Sequence, residues 1–234
     1  MYKTQSKLKG IYQDFFRQAN IDPKTGYREE RRKKFATYPY VGSCYGETGS
    51  KRLLMLGLDI GIDGTFGRLQ SFEERRFQIE GKSSEKHNRH MAGTYMMALH
   101  FLHSEFKEWD EYWVSLDMTA TCLSLMKQKD LPERNPLSYI ALTNCYKFVT
   151  EFRDKARGGQ DRKFCYREPE QELLTKEIIA LDPSIVVWQG RSFPKKNRPW
   201  LQPCLSGREV WHSPHPSYVG VQRVQDLIMS LENW

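Results

Sequence analysis

Three short segments carry polar side chains in settings that suit chemistry, and they centre on Asp59, Asn144 and His215. Asp59 lies in the glycine-rich run Gly57–Gly64, where glycines permit a tight turn and a close approach of the backbone to a ligand. A carboxylate at such a turn can position a water molecule or stabilise a developing cation. The alternative reading is an ordinary Gly/Asp turn without a chemical role.

Asn144 and His215 offer complementary hydrogen-bonding groups. The Asn144 amide has a donor and an acceptor, which is the pair needed to read one edge of a nucleobase, unless the residue only caps a turn. His215 stands between Pro214 and Pro216, and the two prolines stiffen the chain around it. A rigidly held imidazole suits hydrogen bonding to a leaving group, whereas a loop histidine without a role is the alternative.

Short apolar runs that end near these segments predict the strands that position them. The predicted strands are Arg52–Leu58, Ser138–Thr143, Ile185–Trp188 and Glu209–Trp211. Helical spacing of apolar residues is found at Lys7–Asn20, Arg89–His103, Asp110–Lys127, Glu168–Leu181 and Val221–Leu231. This alternation predicts an α/β fold, a three-layer α/β/α sandwich around a central, mostly parallel, four-stranded sheet. Ligands of such sheets bind at the carboxyl ends of the strands, which is where the three segments lie.

Length and charge narrow the class of protein. A chain of 234 residues fits one domain, residues 1–234, in which residues 1–40 form a helical, basic N-terminal extension. A net charge of +7 and a pI of about 9.1 favour a polyanionic partner such as DNA. Basic residues cluster at 28–34, 153–163 and 195–198, which would suit a phosphate-tracking surface or simply three solvated faces.

Cysteine usage and the N-terminus bear on the compartment. Five cysteines without a C-x-x-C pair argue against a disulfide framework and a zinc ribbon, and favour a reducing compartment. The polar start of the chain is unlike a signal peptide, and no apolar run is long enough to span a bilayer. We therefore expect a cytoplasmic monomer without membrane contact. Three H-x-x-H pairs lack further ligands, so we expect no metal: His87/His90, His100/His103 and His212/His215.

Taken together and in order, these segments resemble the motifs of the uracil-DNA glycosylase superfamily. The first motif corresponds to Gly57-Leu58-Asp59-Ile60-Gly61, the middle one to Thr143-Asn144-Cys145-Tyr146-Lys147, and the last to His215-Pro216-Ser217. The stretch Glu172–Gly190 is also similar to the penultimate helix-strand unit of that family. The resemblance extends from about Tyr38 to the C-terminus.

The resemblance implies the fold of that superfamily and a DNA glycosylase activity. The substrate would be a flipped-out uracil or C5-modified pyrimidine, whose N-glycosidic bond is hydrolysed to leave an abasic site. By the same resemblance, Asp59 orients the attacking water and stabilises the oxocarbenium-like sugar. His215 donates to the carbonyl oxygen of the departing base, and Asn144 reads its edge. The role would be base excision repair or defence against modified viral DNA.

The resemblance also implies binding residues. Phe72 or, second, Phe66 would stack on the base, with core packing as the alternative for either ring. Gly61 stands where the strictly uracil-specific branch has a tyrosine, which opens space beside C5 of a pyrimidine. The remaining residues expected to contact DNA are Ser217, Tyr218, Lys147, Arg89 and His90.

Two departures from the family pattern qualify these expectations. Ile60 replaces the motif proline, which keeps open a non-catalytic member of the fold that only binds DNA. Phe148 stands where the iron–sulfur branch has a cysteine, so we expect no cluster and no other cofactor. An unrelated nucleotide-binding α/β enzyme ranks low, because no G-x-G-x-x-G or P-loop follows the first strand.

Overall fold

In the computed structural model of the chain, helices alternate with the strands of a mostly parallel sheet. The structure describes residues 2–28, 33–47, 49, 51–57, 69–81, 88–145, 147–150, 168–190, 194–216 and 222–233. The helices are α1 Tyr2–Ala19, α2 Phe72–Glu80, α3 Arg89–Leu102, α4 Lys107–Ser115, α5 Cys122–Met126, α6 Glu168–Leu181, α7 Pro194–Leu205 and α8 Val224–Met229. The strands are β1 Tyr27–Arg28, β2 Lys33–Phe35, β3 Tyr40–Val41, β4 Leu53–Gly57, β5 Ile140–Asn144, β6 Phe148–Thr150, β7 Ile185–Gln189, β8 Glu209–Ser213 and β9 Glu232–Asn233.

The main sheet of the described residues has six strands in the order β3-β5-β4-β7-β8-β9. The central strands β5, β4, β7 and β8 run parallel, and these are the four strands that the sequence predicts. The edge strands β3 and β9 are antiparallel, and each is only two residues long. The prediction of an α/β fold with a mostly parallel sheet is confirmed. The count of four misses the edges, because two-residue strands leave no pattern of alternation.

Each face of the sheet is covered by a different set of helices. Leu54 and Leu56 of β4 pack with residues of α1, α6 and α7. Leu53 and Met55, which alternate with them, pack with residues of α3, α4, α5 and α8 on the other face. Burial on both faces explains why the strands appear in the sequence as continuous apolar runs.

The N-terminal segment is part of the core. Leu8 and Tyr12 of α1 are buried on the sheet face that α6 and α7 also cover. Strand β2 pairs with β1 and β6 in a separate antiparallel sheet, with Phe35 opposite Phe148. Residues 1–40, predicted as a helical extension, contain the helix α1 but also β1 and β2, and α1 packs in the core rather than extending from it.

Helix prediction succeeds where the apolar spacing is unbroken. The helix α6 has the predicted bounds, whereas the single helix predicted over Asp110–Lys127 is corrected to two, α4 and α5. The Asp117 carboxylate accepts hydrogen bonds from the amide and hydroxyl of Thr119, which forms a turn, and the Thr121 hydroxyl then caps α5. Helix α2, which the apolar pattern does not predict, begins with a capping box between Ser71 and Glu74.

Candidate active site at the carboxyl edge of the sheet

The ends of the four parallel strands form one row of residues. Asn144 of β5 lies opposite Gly57 of β4, and Gln189 of β7 lies opposite Ser213 of β8. Leu56 pairs with Trp188, so Gln189 follows at the level of Gly57. Three strand spacings of about 4.8 Å make the row roughly 14 Å wide.

Gly57 and Asn144 touch at one end of this row. A Cβ built on Gly57 would lie 2.4 Å from Oδ1 of Asn144, so the amide packs directly against the glycine Cα. The backbone amide of Cys145 also donates to the carbonyl of Gly57 over 3.0 Å. Any side chain at this position would displace the Asn144 amide, which is a steric reason for the glycine of the first motif. Asp59 follows two residues later and lies outside the described residues.

His215 lies at the other end of the row, two residues after β8. The loop before it is fixed by the Ser213 hydroxyl, which lies 3.2 Å from the carbonyl of Trp188 and 3.0 Å from that of Pro214. The loop after it packs on α3, where a Cβ on Gly93 would lie 2.8 Å from Cβ of Pro216. His215 itself is exposed to solvent.

A second histidine joins His215 from the start of α3. The rings of His90 and His215 have centroids 5.0 Å apart and are tilted by 33°. Burial, followed by the charges of His215 and Arg75, lowers the pKa of His90 to about 4. His90 is therefore neutral at pH 7. Its Nδ1 is buried, with no hydrogen-bond partner among the described residues.

Arg75 of α2 reaches the same edge and was not foreseen from the sequence. Its Nη1 donates to the Thr37 hydroxyl over 2.8 Å. Thr37 precedes β3, whose first residue pairs antiparallel with Leu142, so Thr37 lies beyond the carboxyl end of β5. Burial lowers the pKa of Arg75 to about 10. Nothing in the sequence separates Arg75 from its neighbour Arg76, because only the folded position distinguishes them.

Gln189 is the second residue that sequence reasoning missed. It is buried between the two ends of the row, and its Nε2 lies 3.4 Å from Sδ of Met55. A thioether is a weak acceptor, so the Nε2 donor of this amide is only weakly satisfied by its described partner. Its position as the first polar residue after the apolar run Ile185–Trp188 is the sequence signal that could have identified it.

Lys147, predicted to contact DNA, is a buried structural residue. It is 2% exposed, forms an ion pair with Glu177 and donates to the Thr143 hydroxyl over 3.0 Å. The same hydroxyl donates to Glu177 over 3.0 Å. Burial lowers the pKa of Lys147 to about 7. This corrects the predicted DNA contact, because an ammonium enclosed in this network cannot reach a phosphate. The network instead fixes the chain that follows Asn144.

Phe72, predicted to stack on a base, packs in the core. Its ring stacks on Tyr38 at 4.6 Å and meets Tyr12 edge-on at 6.0 Å, and the residue is 7% exposed. This corrects the stacking role in favour of core packing, the alternative for this ring. Arg89 is exposed as the first residue of α3. Five other predicted site residues lie outside the described residues: Asp59, Gly61, Phe66, Ser217 and Tyr218.

Within the described ranges, no group of three or more His, Cys, Asp or Glu side chains could hold a metal ion. No helix in that part of the chain is long and apolar enough to cross a bilayer. Comparison with models of known protein families and with curated proteins finds no match for the chain. The resemblance to uracil-DNA glycosylases therefore depends on the sequence features alone, which are the three motifs and the helix-strand unit Glu172–Gly190.

Proposed function

We propose that this chain is a DNA glycosylase with a fold like that of uracil-DNA glycosylases. The observation that carries the proposal is the row of strand ends. The Asn144 amide lies at one end of this row, and the His215–His90 pair lies at the other. Asp59 follows two residues after Gly57, which lies between those ends. A carboxylate, an amide and an imidazole would thus converge on one cleft.

Hydrolysis of an N-glycosidic bond needs groups that stabilise two opposite charges. Asp59 would accept a proton from the water that attacks C1′ of the sugar, and its charge would stabilise the oxocarbenium-like sugar. The bond to the base breaks with both electrons going to the base, and His215 would donate a hydrogen bond to its carbonyl oxygen. Because burial keeps His90 neutral, His90 adds no charge that opposes a proton on His215.

The substrate proposed is a pyrimidine that has left the base stack. A nucleotide within a duplex cannot reach the edge of the sheet, so it must be flipped out or lie in a single strand. Asn144 would hydrogen-bond the edge of the base. By the resemblance, Gly61 in place of a tyrosine would leave space beside C5, so we expect uracil with a C5 substituent, or a C5-modified cytosine, to be accepted. Repair and defence against modified viral DNA are both consistent with this chemistry.

The proposal is tested by incubating the protein with oligonucleotides that contain uracil, thymine, 5-hydroxymethylcytosine or its glucosylated form. Alkali-labile sites should appear at the target base, and Asp59→Asn should abolish them. Gly61→Tyr should suppress cleavage of the C5-substituted bases more than cleavage of uracil. Tight DNA binding with no abasic product from any substrate would instead favour a non-catalytic DNA-binding protein, for which Ile60 in place of the motif proline is the sequence argument.

A further inference from the structure

Arg75 is a guanidinium without a counterion among the described residues. Its Nε is buried and has no hydrogen-bond partner, and its one hydrogen bond goes to the neutral hydroxyl of Thr37. No carboxylate among the described residues pairs with it. Removing a cation from water is costly unless an opposite charge compensates, and buried charges in proteins are therefore normally paired. Among the described residues the largely buried charge of Arg75 is thus uncompensated, and a bound anion would compensate it.

The described residues around Arg75 offer further hydrogen-bond donors, and no carboxylate among them acts on the pKa of its guanidinium. His90 carries a second buried nitrogen, Nδ1, that lacks a partner. Arg75 donates to Thr37, which lies beyond the carboxyl end of β5, and its charge acts on the pKa of both His90 and Lys147, so the guanidinium lies near these groups. The carboxylate beside Lys147 is engaged by that lysine. Arg75 remains partly exposed, so an anion can approach its guanidinium from outside, whereas Nε of Arg75 and Nδ1 of His90 are covered in this structure and must be uncovered by a side-chain shift before an anion contacts them.

We propose that Arg75, together with Nδ1 of His90, binds one phosphodiester group of the DNA backbone next to the extruded nucleotide. The planar guanidinium matches two phosphate oxygens with a pair of parallel N–H donors. His90 in the Nδ1–H tautomer adds a third donor without adding charge. This inference rests on the proposed function, because a strand whose nucleotide enters the cleft must bring its own phosphates to the rim.

The anion site is tested first with inorganic phosphate in thermal unfolding. Phosphate at about ten times its Kd should raise the Tm of the wild type by about 3 °C. Arg75→Gln should remove this response, and without phosphate its Tm should be no lower than that of the wild type. Arg76→Gln, one residue along the same helix, removes the same charge and should respond like the wild type. An equal response of Arg75→Gln would overturn the site.

A second measurement identifies the phosphate as that of DNA. Binding is measured on oligonucleotides with an uncleavable target nucleotide, in which each flanking phosphate is replaced in turn by a neutral methylphosphonate. At one position the wild type should lose affinity about tenfold, as expected for one charged hydrogen-bonded contact. On unmodified DNA, Arg75→Gln should bind about tenfold more weakly than the wild type, and the methylphosphonate at that position should not weaken its binding further. Arg76→Gln should still lose affinity about tenfold when that phosphate is replaced.

A position is coupled to Arg75 if the methylphosphonate there costs the wild type affinity but costs Arg75→Gln nothing further. If the two losses add at every position, or if inorganic phosphate binds but no position is coupled, the assignment to DNA is refuted. Base excision by the same preparations is measured separately. If a phosphate position is coupled to Arg75 but no base is excised, the glycosylase activity is contradicted and the anion site is still supported. Excision without coupling would contradict only the anion site.

Discussion

Replacing Gly57 by alanine tests whether the Asn144 amide is held against the first motif. The added Cβ would lie 2.4 Å from Oδ1 of Asn144, where ordinary contact begins near 3.4 Å, so the amide must move by about 1 Å. A misplacement of about 1 Å can cost about a hundredfold in rate, which corresponds to about 2.7 kcal/mol of transition-state stabilisation. Gly57 is not among the described glycines with positive φ, so alanine fits the backbone and the fold should persist.

The assay is single-turnover excision from the best substrate of the oligonucleotide panel, with far-UV circular dichroism to establish that the variant is folded. Gly10→Ala is the matched control, because a Cβ on Gly10 meets nothing within 4 Å. That change lies within α1 and should leave the rate unchanged while raising the free energy of unfolding by up to about 1 kcal/mol. A Gly57→Ala protein that excises at the wild-type rate would refute the assigned role of the Asn144 amide.

Three further predictions concern other contacts of the site and core. Gly93→Ala places a Cβ 2.9 Å from a backbone oxygen of the loop after β8, so it should slow single-turnover excision by shifting that loop. Lys147→Met leaves Glu177 buried without its cation and should lower the free energy of unfolding in urea by about 3–5 kcal/mol. Adding Glu177→Leu to this variant should recover most of that loss, and no recovery would contradict the paired burial. Burial lowers the pKa of both His90 and His100 from 6.5 to about 4, so the unfolded chain binds more protons between these values. The free energy of unfolding should therefore be highest above about pH 6.5 and fall towards pH 4, and His100→Gln should flatten that slope in a pH series of denaturant titrations.

The parallel core of the fold could be predicted because both faces of its strands are buried. Continuous apolar runs such as Ile185–Trp188 are a direct consequence of that burial, and helix α6 has a clear apolar spacing. The strand ends in turn identified Asn144 and His215, since polar residues follow each run. The edge strands and α2 carry no such pattern, and only tertiary contacts and caps define them.

The roles of individual side chains were harder to predict than their positions. The sequence predicts that Phe72 and Lys147 face a ligand, but Phe72 packs on Tyr38 and Lys147 forms an ion pair with Glu177. Those partners are distant in sequence, so no local pattern reveals them. The same holds for the contact of His90 with a histidine that follows it by more than a hundred residues.

The central claim is that this chain breaks the bond between a base and its sugar. Its most direct test is mass spectrometry of the products of a single turnover on DNA with a C5-modified pyrimidine. The account predicts one free base and one abasic strand for each active site, with neither product from Asp59→Asn. Intact oligonucleotide recovered from every substrate, or a cut phosphodiester with the base still attached, would contradict it.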